Sequence, residues 1–85
     1  MRINFKQEEL IQELMNTIKG KFPEVELISV TESSYDPETL WINITSPEDE
    51  DRKIAMREFG NDKATDIFLD YGYYMLVMPT RKKTV

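Results

Sequence analysis

The chain has 85 residues, a length that allows one small domain and is too short for two. It contains no cysteine and no histidine. These absences exclude disulfide bonds, thiolate zinc sites, and Ser-His-Asp or Cys-His catalysis within one chain. The net charge of −5 is uneven, because residues 23–51 carry nine acidic side chains and no basic one. That segment would repel phosphate backbones and could steer a basic partner.

No apolar run approaches the roughly 18 residues that cross a membrane. The segment Met1–Lys6 lacks the continuous apolar core of a signal peptide. We therefore predict a cytoplasmic protein without membrane contact.

The first helix is predicted from Phe5 to Lys19. Asn4 is a good N-cap, and Gln7 three residues later completes a capping box. Gly20 fits the left-handed position after a helix, and Pro23 prevents continuation. Leucine, isoleucine and methionine recur at helical spacing between these ends, so one face of the helix should be buried.

A hairpin follows the first helix. Its strands are predicted at Val25–Thr31 and Thr39–Thr45, and the turn at Ser33–Glu38, where serine and aspartate side chains can bond their own backbone. The second strand alternates cleanly. Its two faces carry Leu40, Ile42 and Ile44 on one side, and Trp41 and Asn43 on the other.

The second helix is predicted from Pro47 to Tyr71, with Ser46 as its N-cap and Gly72 at its end. The apolar arc keeps its phase across Gly60, which indicates one helix rather than two. A small residue at that position would let the helix lie close to a sheet.

The third strand is predicted from Tyr73 to Met78, ended by Pro79. It belongs to the most apolar run of the chain and shows no alternation, which is typical of a strand whose two faces are both covered. A single domain should thus span residues 1–79, with a basic C-terminal tail at residues 80–85.

The order of elements predicts an α+β fold, a two-layer α/β sandwich in α-β-β-α-β order. Its mixed three-stranded sheet would carry both helices on one face. Which strand is central stays open. Two helices cover only one face of the sheet. The other face would therefore expose a larger apolar surface than most small monomers leave accessible to solvent. We assign to this interaction face Trp41, Val25, Leu27, Tyr73 and Met75.

An acidic patch, Glu48-Asp49-Glu50-Asp51, opens the second helix. Consecutive helical residues point in different directions and do not converge on one ion, so the patch predicts helix-dipole stabilisation and no metal site. Asp62, Asp66 and Asp70 recur on one helix face and are typical of a solvated stripe. The glycines match no phosphate-binding fingerprint, and no cofactor is predicted.

These observations predict a non-enzymatic protein–protein interaction module, with self-association as a homodimer through the open sheet face or with a separate protein partner. The open face could instead be covered by the chain's own tail or loops. A second hypothesis is single-stranded nucleic-acid binding by the sheet aromatics and the basic tail, although basic residues are missing from both hairpin strands. A third is an enzyme that uses carboxylates such as Asp66.

Overall fold

The computed structural model describes residues 3–36 and 38–80, so the tail beyond Thr80 lies outside the described residues. The predicted order of elements and the α+β class are confirmed. Within the described ranges, no helix has the length and apolar character needed to cross a membrane. The elements are α1 (Phe5–Lys21), β1 (Leu27–Glu32), β2 (Leu40–Thr45), α2 (Glu50–Tyr71) and β3 (Met75–Thr80).

The sheet has the strand order β1-β2-β3, so β2 is central. β1 pairs antiparallel with β2 as a hairpin, and β3 pairs parallel with β2. In the hairpin loop, Ser33 Oγ accepts from the Tyr35 and Asp36 amides at 3.2 and 3.4 Å, and Asp36 Oδ1 accepts from the Glu38 amide at 3.0 Å. The predicted side-chain-to-backbone turn is therefore present.

The core is formed by buried residues of both helices together with alternate residues of β2 and β3. Because side chains alternate across a strand, these strand residues share one face of the sheet. One cluster thus joins that face to α1 and α2. Its main members are Leu10, Leu14, Ile18, Leu40, Ile42, Ile44, Met56, Ala64, Met75 and Val77.

Gly60 lies where α2 passes closest to its neighbours. A Cβ atom added there would lie 3.2 Å from Ile18 Cδ1 and 3.2 Å from both Val77 methyl carbons. That separation is tighter than ordinary van der Waals contact, so the absence of a side chain lets α2 approach both α1 and β3. α2 runs through this position without a break, as the phase of its apolar arc predicts.

The helix starts and ends differ from prediction at two places. α1 continues to Lys21, and Gly20 lies inside it rather than after it. The reason is Phe22, which is buried in the core and whose amide donates to the Ile18 carbonyl at 2.7 Å. α2 begins at Glu50 with Asp49 as its N-cap, not at Pro47 after Ser46.

The strand bounds also shift toward the C-terminus. Val25 is fully buried before β1 begins at Leu27. β3 starts at Met75, two residues later than predicted, and runs through Pro79 to Thr80. A proline is tolerated there because β3 is an edge strand, where a missing N–H breaks no ladder bond.

Alanine at Gly20 and at Gly72 should therefore have opposite effects. Gly72 has φ +80°, a left-handed conformation, so Gly72→Ala should lower the free energy of unfolding by about 1–2 kcal/mol. Gly20 is helical with open space around it, so Gly20→Ala should raise it by about 0.5–1 kcal/mol. Urea denaturation of both variants checks the pair, and destabilisation by Gly20→Ala would contradict the helix end described above.

Candidate interaction surfaces

The face of the sheet turned away from the core, here named the outer face, follows from the strand register. Trp41 on the central strand pairs with Thr31 on one side and with Leu76 on the other. Asn43 pairs in the same way with Ser29 and Met78. Paired residues share a face. The register assigns to the outer face Ser29, Thr31, Trp41, Asn43, Thr45, Leu76, Met78 and Thr80.

The apolar part of the outer face lies on β2 and β3. It consists of Trp41, Leu76 and Met78, named the apolar patch below. Leu76 is 40% exposed, and Trp41 and Met78 are half-buried. Tyr74, just before β3, is exposed and places its ring 4.0 Å from that of Phe68 on α2. The patch is therefore compact and partly accessible to solvent.

The part of the outer face on β1 is polar. Asn43 Nδ2 donates to Ser29 Oγ at 3.2 Å and to Thr31 Oγ1 at 3.0 Å. This side-chain ladder links β2 to β1 and satisfies the amide donors of Asn43. Apolar contact through the residues that the register assigns to the outer face is therefore limited to β2 and β3.

The predicted interaction residues are not brought together, and four of the five placements are corrected. Only Trp41 lies on the outer face. Val25 is 0% exposed and Met75 is 4% exposed, so both belong to the core and not to an open face. Tyr73 packs against the core, and its hydroxyl lies 3.4 Å from Asn4 Nδ2. Leu27 pairs with Ile44 on the core side of the sheet, at a margin where it is 38% exposed.

Leu76 and Met78 were absent from the predicted set. The sequence divides β3 into two alternating apolar sets, and it predicts that the set with Tyr73 and Met75 faces outward. Because Val77 lies against Gly60 on α2, the set that contains Met75 and Val77 faces the core, and Leu76 faces outward. No local signal in β3 separates the two sets.

The residues of the acidic patch are all exposed and serve the start of α2. Asp49 accepts a hydrogen bond from the Arg52 amide at 2.9 Å, and Glu50 and Asp51 occupy the first turn. Negative charge is favourable there because the first amides of a helix are unpaired. In the ranges 3–36 and 38–80, no group of three or more acidic, histidine or cysteine side chains is arranged to hold a metal ion. Asp62, Asp66 and Asp70 are all exposed on α2.

Glu24 and Arg52 form an ion pair between the loop before β1 and the first turn of α2. Arg52 donates from Nε to Glu24 Oε2 and from Nη2 to Glu24 Oε1, the second bond measuring 3.0 Å. Its guanidinium also lies 4.8 Å from the Phe22 ring centroid. The hydrogen bond from Arg52 lowers the pKa of Glu24 from 4.5 to about 2. The ion pair thus connects the loop before β1 to the first turn of α2.

The Glu24 pKa predicts a pH dependence of stability. Because the folded pKa is below the unfolded one, the carboxylate stabilises the fold above about pH 4.5, and this contribution is lost as pH falls through about 2. Glu24→Gln should therefore be less stable than the wild type at pH 7 and approach it near pH 2. Urea denaturation across this range measures the difference. Arg52→Gln should reduce the pH dependence of the free energy of unfolding in the same way. If Arg52→Gln keeps the wild-type pH dependence, the ion pair with Glu24 is not its cause.

The two edges of the sheet differ. On β3, the Val77 amide donates to Asn61 Oδ1 at 2.8 Å, and Asn61 Nδ2 donates to the Val77 carbonyl at 3.3 Å. One side chain from α2 thus occupies both backbone groups of Val77. Two residues later, Pro79 has no N–H to offer. This edge is closed to another strand at both positions.

The edge formed by β1 presents backbone groups outward. The Thr45 amide donates to the Glu26 carbonyl at 2.9 Å, so alternate residues of β2, including Trp41, direct their backbone groups toward β1. Thr31 is the partner of Trp41, and its neighbour Val30 therefore directs its N–H and C=O away from the sheet. A register shift between Leu27 and Ser29 limits the regular part of this edge to Ser29–Glu32.

Beside this edge, α1 and β1 enclose a groove of about 520 Å³. Its floor and walls are mostly aliphatic and aromatic, and Phe5 at its rim is 80% exposed. The groove is lined by Ile3, Phe5, Glu8, Glu9, Ile11, Gln12, Leu27 and Val30.

Comparison of the chain with protein-family models, curated proteins and solved structures found no match in any of the three.

Proposed function

We propose that this protein is a non-enzymatic protein–protein interaction module that self-associates through its outer face. The observation that carries the proposal is the apolar patch of Trp41, Leu76 and Met78, partly exposed on a sheet face. Tryptophan and methionine are enriched at protein interfaces.

Charge supports a second copy as the occupant of this face. Each copy carries −5, so two copies repel one another over most of their surfaces. All the described residues that the register assigns to the outer face are uncharged. An exposed acidic residue, Glu26, borders this face, since its carbonyl and amide both bond Thr45. Two outer faces can therefore meet in an aligned sheet-on-sheet packing with like charge at that border rather than at the centre of the contact.

The size of the face sets the expected strength of the dimer. Three strands of six residues cover about 280 Å² in projection, from spacings of about 4.8 Å between strands and about 3.3 Å between residues. A stable interface buries about 800 Å² on each partner. We therefore expect a weak, concentration-dependent dimer rather than an obligate one.

Replacement of Trp41 by aspartate tests this proposal. Burying an unpaired carboxylate between two sheets is costly, so Trp41→Asp should remain monomeric at concentrations where the wild type associates. Sedimentation velocity over a series up to about 1 mM protein, a range in which complexes with Kd in the micromolar-to-millimolar range are populated, measures the association. Circular dichroism of each variant checks that the fold is kept.

Tyr35→Asp is the matched control, since Tyr35 is exposed in the hairpin loop and the charge change is the same. It should associate as the wild type does. If Trp41→Asp unfolds, Leu76→Asp gives a second test at the more exposed residue of the patch. Unchanged association in a folded Trp41→Asp or Leu76→Asp protein would disprove the proposal.

A further inference from the structure

We propose that the β1 edge and the adjoining groove form a second binding site, distinct from the outer face. Its ligand is an extended segment of a partner protein whose groove-facing side chains are apolar at the centre and basic toward the ends. The segment adds as a fourth strand beside β1. This mode of recognition combines backbone hydrogen bonds with pockets for alternate side chains.

The backbone of β1 supplies the first component. Val30 directs its N–H and C=O outward, whereas on the opposite edge Asn61 occupies the same groups of Val77. Natural sheets close their edges to prevent unwanted pairing. Here that protection is built at β3, and strand addition is therefore directed to β1, at Val30.

The groove supplies the second component. Val30 is half-buried, and its side chain lies on the core side of the sheet, where it lines the groove with Leu27 and Ile11. A strand paired with β1 would direct every second side chain to this same side. Those side chains would fill the space between α1 and β1 and cover the apolar lining.

Charge identifies the rest of the ligand. Both charged residues that line the groove, Glu8 and Glu9, are acidic and exposed. Lys6 contacts Glu9 at 3.5 Å and offsets part of that charge. A lysine or arginine in the ligand would complement this rim, and an acidic one would be repelled.

A second copy of this chain fits the site poorly. A two-fold contact places the same surface on both sides, so Glu8 and Glu9 of one copy would face an equally acidic edge. Like charges across an interface disfavour such a complex. The ligand is thus a separate, basic chain.

A labelled heptapeptide, Arg-Thr-Val-Thr-Val-Thr-Arg, carries its arginines and valines on one face and is a direct probe, measured by fluorescence anisotropy. The titrations use Trp41→Asp protein, so that self-association through the outer face does not interfere. We expect saturable binding that weakens as salt rises, because exposed charges are screened. The same peptide with N-methyl groups on alternate amides keeps its charge but loses strand hydrogen bonds, and it should bind at least about tenfold more weakly.

Charge reversal locates the site. Glu8→Lys/Glu9→Lys should weaken binding of the basic peptide by at least about tenfold and favour the same peptide with glutamate in place of arginine. Asp62→Lys/Asp66→Lys, on the exposed face of α2, makes the same change in net charge and should leave binding within about threefold. NMR amide shifts should centre on Val30.

Four results would overturn this inference: no binding at about 1 mM peptide, equal binding of the N-methylated peptide, equal losses in the two charge-reversal proteins, or dimerisation through β1. The first three concern peptide binding and do not bear on association of the wild type through Trp41. Dimerisation through β1 would persist in Trp41→Asp protein and be lost in Val30→Pro protein, so failure here and failure of the proposed function are distinguishable. If Glu8→Lys/Glu9→Lys unfolds, Val30→Pro gives a second test. It removes the outward N–H of the edge and should abolish binding of the basic peptide.

Discussion

Met75→Ala should lower the free energy of unfolding by about 2–5 kcal/mol, the usual cost of emptying a fully packed methionine site. Met75 is 4% exposed and belongs to the core cluster. The adjacent substitution, Leu76→Ala, should cost far less stability, because Leu76 is on the outer face and partly exposed. Urea denaturation of the two variants compares both faces of β3 at neighbouring positions.

The same two variants should separate stability from association. Leu76→Ala should weaken self-association because it shortens the apolar patch, whereas folded Met75→Ala protein should associate like the wild type. Sedimentation of both proteins at low temperature, below any unfolding transition, measures this. A larger loss of stability in Leu76→Ala than in Met75→Ala would show that the faces of β3 are assigned in reverse.

Asn61→Ala should lower the free energy of unfolding by about 1–3 kcal/mol. The substitution leaves the Val77 N–H and C=O without their side-chain partner in a partly buried position, and an unsatisfied polar group costs about that much. Alanine is the better helix former, so this loss would occur against a small opposite contribution from α2. Hydrogen exchange of the Val77 amide should accelerate in parallel.

Thr65→Ala is the matched control for Asn61→Ala. Thr65 Oγ1 donates only to the Asn61 carbonyl of its own helix, at 2.9 Å. Its loss should change stability little, since exposed side-chain bonds within a helix compete with water. Equal effects of the two substitutions would mean that the bond between α2 and β3 contributes nothing specific.

The fold was predictable because its determinants are local. The Asn4–Gln7 capping box, the hairpin turn and the left-handed Gly72 are each encoded within a few residues. The errors arose where tertiary burial overrode local preference. The local sequence predicts that α1 ends at Gly20, but α1 continues to Lys21 because Phe22 is buried in the core.

The candidate surfaces were less predictable because they depend on contacts between distant segments. The clean alternation of β2 predicts that Trp41 lies on the outer face, where the structure places it. In β3 both alternating sets are apolar, and they are distinguished by contacts with α2, such as that of Val77 with Gly60. Asn61 reads locally as a weak helix residue, and its bond to β3 appears only when α2 and β3 are placed side by side.

The closed edge of β3 has a consequence for how far the sheet can grow. A fibril lengthens by joining one edge of a sheet to the unlike edge of the next, and each addition must regenerate a free edge. At Val77 the backbone is already occupied by Asn61, and Pro79 has no N–H. The β1 edge of one molecule therefore cannot pair with the β3 edge of the next at these positions. Strand addition at β1 stops after one step and does not extend into a fibril.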